Sequence, residues 1–284
     1  MEGQYKFKKN ESFYIRDGWF EKALNSISES ANNIFYKNDG MKILGIGSNM
    51  VKSLKYWLFS SNIIELNGRE IKLSEFGSLI LKYDKYLESR FTWFMIHYFL
   101  VRNTYECPIF CGVFNFDIRI FSKNEIVNEF ISSFDNLGVS YKKDYIEDDL
   151  NVFLKSYITE IVSDNPEDNY ICPLSELKLL QKKGDKYSKI RPVYSSLSYL
   201  VVYFVLQELY SNQSFIIEDS MYENNSPVSV FNLDKNMYLQ YLDEIKKHGL
   251  ITINKTAGLN TVYFEEKLSL KDIFDRYFGG EYVQ

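Results

Sequence analysis

The sequence predicts a mainly α chain with small β-wings, an α+β class built as two winged helix-turn-helix units joined by a helical middle. Three observations predict it. Apolar residues recur at three- and four-residue spacing through most of the chain, the period of helices with one buried face. A glycine turn separates two short helical patterns within residues 41–60, and an Asn67-Gly68 pair between short apolar runs follows directly. The same order returns near the other end of the chain. With 14 Gly and 5 Pro among 284 residues, breakers are scarce enough for long regular elements.

Trp19–Tyr36 carries Phe20, Ala23, Leu24 and Ile27 at helical spacing, with Asp17 or Gly18 at its start. Met41–Leu44 is a short helix, interrupted by Gly45-Ile46-Gly47-Ser48. A second helix runs from Asn49 to about Ser60, its apolar stripe formed by Met50, Val51, Leu54, Trp57 and Leu58; on that stripe Trp57 is expected to be buried. Ile63–Leu66 and Arg69–Leu73 read as a hairpin centred on Asn67-Gly68, because both central residues of a type I′ turn need positive φ. Ser74 is placed to cap a following helix through Phe76, Leu79 and Ile80.

The middle reads as helices over Tyr86–Val101, from Ser122 to about Asp135, and over Asp148–Ile161. The second of these opens on a Ser122/Glu125 capping box and ends at Gly138. Ile109–Phe121 is aromatic and partly alternating, which predicts a strand or an extended crossing. Ser163–Asn169, rich in Asp, Asn and Pro, is expected to separate subdomains. The last third reads as an apolar helix over Ser195–Leu209 and a helix capped by Asp234 that stops at Gly249. A hairpin over Leu250–Asn254 and Thr261–Glu265 and a final helix over Leu268–Phe278 follow. The expected organisation is a winged-helix unit at 1–84, a helical middle at 85–163 and a helical and winged-helix unit at 170–284.

Composition narrows the function classes. Lys and Arg number 33 against 38 Asp and Glu, a net charge of −5, so a chain coated in nucleic acid is not expected, while a local basic face is compatible. Three cysteines are too few for a disulfide framework and point to a reduced, cytoplasmic compartment. No signal-like or membrane-length apolar run is present, and no membrane partner is expected. Cys107 and Cys111 lack two further ligands at zinc spacing, and His97 among aromatic positions reads as a core histidine, so no zinc is expected. Gly45-Ile46-Gly47 is no phosphate loop, and no nucleotide cofactor is expected.

One helix carries a candidate DNA face. Ser48, Asn49, Lys52, Lys55 and Tyr56 fall opposite the apolar stripe of the Asn49–Ser60 helix, and Arg69 lies in the wing. A major-groove helix needs such a stripe of short amides, hydroxyls and cations, with free backbone N–H groups at its start. A solvated lysine face on a protein-binding winged helix is the alternative. The second unit mixes Lys235, Gln240, Lys246 and Lys247 with Asp243 and Glu244, which favours packing or a protein partner. Glu11, Arg16 and Asp17 cluster near the start; Glu147-Asp148-Asp149 form an acidic run. Phosphodiester cleavage uses carboxylates that hold Mg²⁺ and a cation at the developing charge. The bland readings are a Glu11–Arg16 ion pair and dipole compensation at a helix start.

Three motifs carry a family resemblance. Phe7-x-x-Asn10-Glu11-x-Phe13-x-x-Arg16-x-Gly18-Trp19-x-x-Lys22, Leu44-Gly45-Ile46-Gly47-Ser48-Asn49-Met50-Val51 and Cys172-Pro173-Leu174-x-Glu176-Leu177-x-Leu179-Leu180 are similar to those of a bacterial domain-of-unknown-function family. The resemblance implies a place beside PAPS-reductase-like sulfur-transfer proteins in DNA phosphorothioation and phage-defence clusters. Its SspB-like branch implies nicking of one strand of double-stranded DNA, and Glu11, Arg16, Asn49 and Lys52 are the positions that match its motifs; Glu11 and Arg16 are the candidate catalytic groups, with Mg²⁺ as the candidate metal. The family pattern has His where this chain has Asn10, and Lys where it has Ser48. The alternative function is a non-catalytic adaptor that docks the sulfur-transfer protein.

Overall fold

A computed structural model describes the chain except residues 1–3, 30–33, 36–38, 69, 160–170, 212, 257–258 and 282–284. The chain is mainly helical, with small antiparallel sheets, and divides into two compact units, Met1–Ile190 and Arg191–Gln284. Residues 1–84, 85–163 and 170–190 thus share one unit. Among the described residues no helix is long and apolar enough to cross a membrane.

The first unit opens with an N-terminal strap that turns at residues 8–12, and then α1 (Trp19–Glu29), α2 (Asp39–Leu44) and α3 (Ser48–Ser60). Tyr36, the expected end of the first helix, lies outside the described residues. Gly45, at φ +66, makes the left-handed turn between α2 and α3 that a side chain would strain. β1 (Ile64–Asn67) and β2 (Glu70–Leu73) follow, paired Ile64↔Leu73 to Asn67↔Glu70. That register puts Asn67 in the strand and makes Gly68, at φ +61, the first loop residue, one place on from the expected Asn67-Gly68 centre. Ser74 then caps α4 (Glu75–Tyr83) by accepting from the Gly77 N–H at 2.9 Å, as its position predicted.

α5 (Arg90–Arg102) begins four residues later than its apolar pattern suggested, and every residue from Phe91 to Val101 is buried. A helix apolar on all sides belongs in the centre of a unit. The expected strand over 109–121 is corrected. Pro108 starts α6 (Pro108–Asn115), because proline at the first helical position costs no hydrogen bond. Ile109, Phe110, Val113 and Phe114 then bury one helical face, and only β3 (Ile120–Phe121) is strand. α7 (Lys123–Asn136) has the expected reciprocal Ser122/Glu125 capping box. α8 (Lys143–Tyr157) starts five residues before Asp148, so the acidic run lies inside the helix and dipole compensation at its start is ruled out as its role.

Beyond a 3-10 turn at Pro173–Leu177 comes a hairpin that the sequence reading omitted, β4 (Leu180–Lys183) and β5 (Lys186–Lys189). It joins β3 in the order β3-β5-β4. Its signal is Gly184-Asp185, a two-residue turn between runs that pair Leu180↔Lys189 to Lys183↔Lys186. Phe121 stacks on Tyr187 beneath this sheet at 5.8 Å.

The second unit contains α9 (Tyr199–Tyr210), β6 (Phe215–Ile216), α10 (Ile217–Ser220), α11 (Pro227–Val230), α12 (Lys235–Lys247), β7 (Ile251–Thr256), β8 (Leu259–Phe264) and α13 (Leu270–Arg276). Asp234 caps α12 through the Met237 N–H at 2.8 Å. The expected hairpin is β7–β8, widened by β6 into a sheet of order β6-β8-β7; its loop at 257–258 is outside the described residues. α9 is buried from Tyr199 to Gln207, with Tyr241 of α12 donating its hydroxyl to the carbonyls of Tyr194 and Leu197.

Candidate nucleic-acid interface

α3 is held from inside. Val51, Leu54, Trp57 and Leu58 are buried, and Trp57 is fully so. The Trp57 Nε1–H donates to the Phe13 carbonyl at 2.9 Å, and the Ser53 hydroxyl donates to the same oxygen at 3.3 Å. A buried indole needs such an acceptor. The strap carrying the first motif is therefore tied directly to the helix that carries the end of the second.

The outward side of α3 begins at Gly47, which supplies no side-chain cap, and its first turn has no acidic residue. Ser48, Asn49 and Lys52 are exposed, and the Lys52 ammonium donates to Asn49 Oδ1 at 3.2 Å. Lys55 is half-buried. Tyr56 departs from the expected stripe. Its hydroxyl donates to the Glu106 carbonyl at 2.7 Å and meets Cys107 Sγ at 3.2 Å. Burial, then the neighbouring Cys107, push its pKa well above the ordinary phenol value. A phenol committed to an inner carbonyl has no donor left for a phosphate. Arg69 lies outside the described residues.

The strap itself is anchored by polar groups. Asn10 is buried; its Nδ2 donates to Asp149 Oδ1 at 2.7 Å, and its Oδ1 accepts from the Ser12 N–H at 2.9 Å. The Lys8 N–H donates to Asp149 Oδ2 at 2.8 Å, and the Lys8 ammonium pairs with Asp148 at 2.7 Å. Burial pushes Asp149 up to about 6, against the pull of the Lys8 N–H and the Asn10 amide. The Asp17 N–H donates to the Ile171 carbonyl at 3.2 Å, tying the first motif to the residue before the third. The three motifs, far apart in sequence, meet through this one segment. Sequence reasoning missed Asp149 as an anchor, because nothing local links it to Asn10.

Glu11 and Arg16 both lie half-buried on the strap. Glu11 and Ser12 adopt left-handed backbone conformations, at φ 49 and 65. The Arg16 guanidinium lies over the Phe13 and Trp19 rings, 5.5 Å from each centroid. Among the described residues no three His, Cys, Asp or Glu gather as a group able to hold a metal ion. Glu11 therefore belongs to no such group. His97 is fully buried, with Nδ1 on the Tyr157 hydroxyl at 2.6 Å, and Cys107, Cys111 and Cys172 are free thiols.

A family model matches residues 7–278. The chain belongs to the family described as protein of unknown function DUF4007. All three motifs of this DUF4007 chain fall inside the match. Two solved structures are similar to it. A magnesium ion-bound SspB crystal structure aligns with a TM-score of 0.84 and 19% identity over 98% of this chain and 89% of that one. A second SspB crystal structure aligns with a TM-score of 0.82, at the same identity and coverage. At that identity the likeness establishes a shared fold. No curated protein matches the chain.

Proposed function

We propose that this protein binds double-stranded DNA through α3, as a component of a phosphorothioate DNA-modification or related phage-defence system. In this reading α1, α2, α3 and the β1–β2 hairpin form a winged helix-turn-helix with α3 as the reading helix. The observation that carries it is the outward face of α3. Ser48, Asn49 and Lys52 are exposed at a helix start with no side-chain cap, and the helix contains no Asp or Glu. Uncapped N–H groups suit a phosphate, and short amides and hydroxyls suit base edges. The motif resemblance and the fold shared with SspB support the phosphorothioation setting.

Strand nicking belongs to the same reading, with Glu11 and Arg16 as its candidate groups because the strap that carries them is bonded to α3. No step is routed through Mg²⁺, since the described residues gather no group of three donors to hold it. One feature favours the adaptor reading instead. Glu65, Glu70 and Glu75 are exposed along and just after the hairpin, a wing that repels phosphate and suits a basic face of a sulfur-transfer protein.

The test is duplex binding by fluorescence anisotropy over a salt series, with a supercoiled-plasmid assay with and without Mg²⁺ beside it. Asn49→Ala and Lys52→Ala are expected to weaken binding, and Lys52→Ala to lower the salt slope by about 0.9, the share of a single neutralised phosphate. Unchanged affinity in both variants would remove α3 as the DNA-binding element. Plasmid relaxation that persists in Glu11→Gln would remove the catalytic assignment.

A further inference from the structure

We propose that the outer face of the β4–β5 hairpin grips the phosphate backbone of a nucleic acid, without regard to base sequence. The proposal rests on the reading that the chain meets DNA, and it adds a contact apart from α3. Residues 178–190 hold five lysines against one carboxylate, Asp185, in a chain of net charge −5. Polyanions are attracted by the local field of such a segment, whatever the sign of the whole chain.

The register sorts these lysines by face. Leu180 pairs with Lys189, and Lys182 with Tyr187. Leu180 and Tyr187 are buried, so this side faces inward, and Lys189 is spent there on the Phe114 and Phe116 carbonyls. The other side carries Lys183 opposite Lys186 and Gln181 opposite Ser188, with Ile120 of β3 across from Ser188. Successive side chains of a strand point to opposite faces, so these five share the outer one. Gln181, Lys183 and Lys186 are exposed, and Ile120 is 64% exposed. Glu125 of α7 pairs with Lys186 at 2.6 Å, and Asp185 lies in the turn. Lys183 forms no hydrogen bond or ion pair among the described residues.

Two ammonium groups directly across a hairpin repel and cost the sheet stability. Lysine on the edge strand β4 would by itself serve to block pairing with another sheet. Lys186 lies on the central strand β5, where that need does not arise. A phosphate between the two cations turns the repulsion into attraction. Gly184, at φ +60, leaves the tip without a side chain, so a ligand backbone can come close. Amide and hydroxyl groups such as Gln181 and Ser188 donate to phosphate oxygens without reading bases. A protein partner would call for an apolar centre to the patch. Here the centre is polar, and Ile120 stands at its side. The β1–β2 hairpin is of the opposite kind, with Glu65 and Glu70 exposed. Of these two hairpins, β4–β5 is the one whose charge suits a phosphate backbone.

The experiment is fluorescence anisotropy of the full chain with a short random-sequence duplex and with oligo-dT, over a salt series. Lys183→Ala should weaken both several-fold and lower the salt slope by about 0.9 on the duplex and about 0.7 on the single strand. Lys183→Glu should weaken both further, and Lys183→Arg should restore the parent values. Lys246→Ala removes the same charge from the second unit and should leave both slopes unchanged. Lys183 is exposed, and an unchanged circular dichroism spectrum confirms that the variants fold. Equal losses in Lys183→Ala and Lys246→Ala, or no loss in Lys183→Glu, overturn the proposal. So does a parent chain that binds neither probe. Polyglutamate that competes as well as oligo-dT, charge for charge, assigns the face to an acidic protein and overturns it too. Lys52→Ala keeps the two readings apart. Losses in Lys183→Ala alone support the hairpin and remove α3; losses in Lys52→Ala alone leave α3 standing and overturn the hairpin.

Discussion

Asn10 donates its side-chain amide to Asp149 Oδ1 at 2.7 Å, across 139 positions of sequence, and this bond fastens the N-terminal strap to α8. Asn10→Ala removes one of the two donors on that buried carboxylate and should cost about 1–3 kcal/mol. Asn10→His keeps a ring N–H in reach and should retain most of that stability. Urea denaturation of the two variants checks this. Equal losses in both would show that side-chain volume, rather than the donated proton, fastens the strap.

The same carboxyl makes stability depend on pH. Asp149 sits at about 6 in the folded chain against 3.8 as its ordinary value. Between those values the folded chain binds more protons than the unfolded one, so stability falls as pH rises. The fall is complete above the folded pKa and amounts to on the order of 3 kcal/mol at most, from about 1.36 kcal/mol per pKa unit. Asp149→Asn should flatten this part of the pH profile between about pH 4 and 7. A titration of the Asp149 carboxyl carbon with a midpoint near 4 would refute it.

Lys189 gives a slope of the opposite sign in alkali. Its ammonium is largely buried and donates to the Phe114 carbonyl at 3.3 Å and the Phe116 carbonyl at 2.6 Å, and burial pulls it down to about 8. The unfolded chain, with lysine near 10.5, then binds more protons, so stability should rise between about pH 8 and 10.5. Lys189→Met should remove that rise. An identical alkaline profile in the variant would contradict the shift.

Tyr56→Phe separates fold from recognition on α3. It removes the 2.7 Å bond to the Glu106 carbonyl and should lower stability by about 1 kcal/mol. Duplex binding should remain as in the parent chain, because the hydroxyl points inward. Weaker binding by the folded variant would return Tyr56 to the contact face.

Trp57→Ala opens a cavity at a fully buried site and frees the Phe13 carbonyl. The expected loss is about 3–5 kcal/mol. Trp57→Phe fills most of the space without the N–H and isolates the strap bond. Chemical denaturation of both measures the difference, and equal losses would make the indole bond irrelevant.

What was legible in the sequence is what is decided locally. Ser74, Ser122 with Glu125 and Asp234 each name a helix start, because a cap needs only residues within one turn. Gly45 marks the break between α2 and α3 for the same reason. The 109–121 segment misleads because its aromatic alternation looks like a strand, while burial of Phe110 and Phe114 beside α8 rewards a helix. The β4–β5 hairpin has a readable signal in its Gly184-Asp185 turn, although the flanking runs are too polar to stand out as strands. On α3 periodicity finds the buried stripe, but it cannot tell that Tyr56 turns back to Glu106. The Asp149 anchor has no local trace at all.

The distance in sequence between Asn10 and Asp149 also orders events at the ribosome. The strap emerges first and meets Ser53 and Trp57 of α3 early, but its Asp149 anchor arrives only when α8 has left the exit tunnel. At about 5–20 residues per second the intervening 139 residues take roughly 7–28 s to synthesise. For that interval the Asn10 amide and the Lys8 N–H lack the carboxylate that fixes them in the folded chain, and the start of the strap stays within reach of any chaperone that attends the nascent chain.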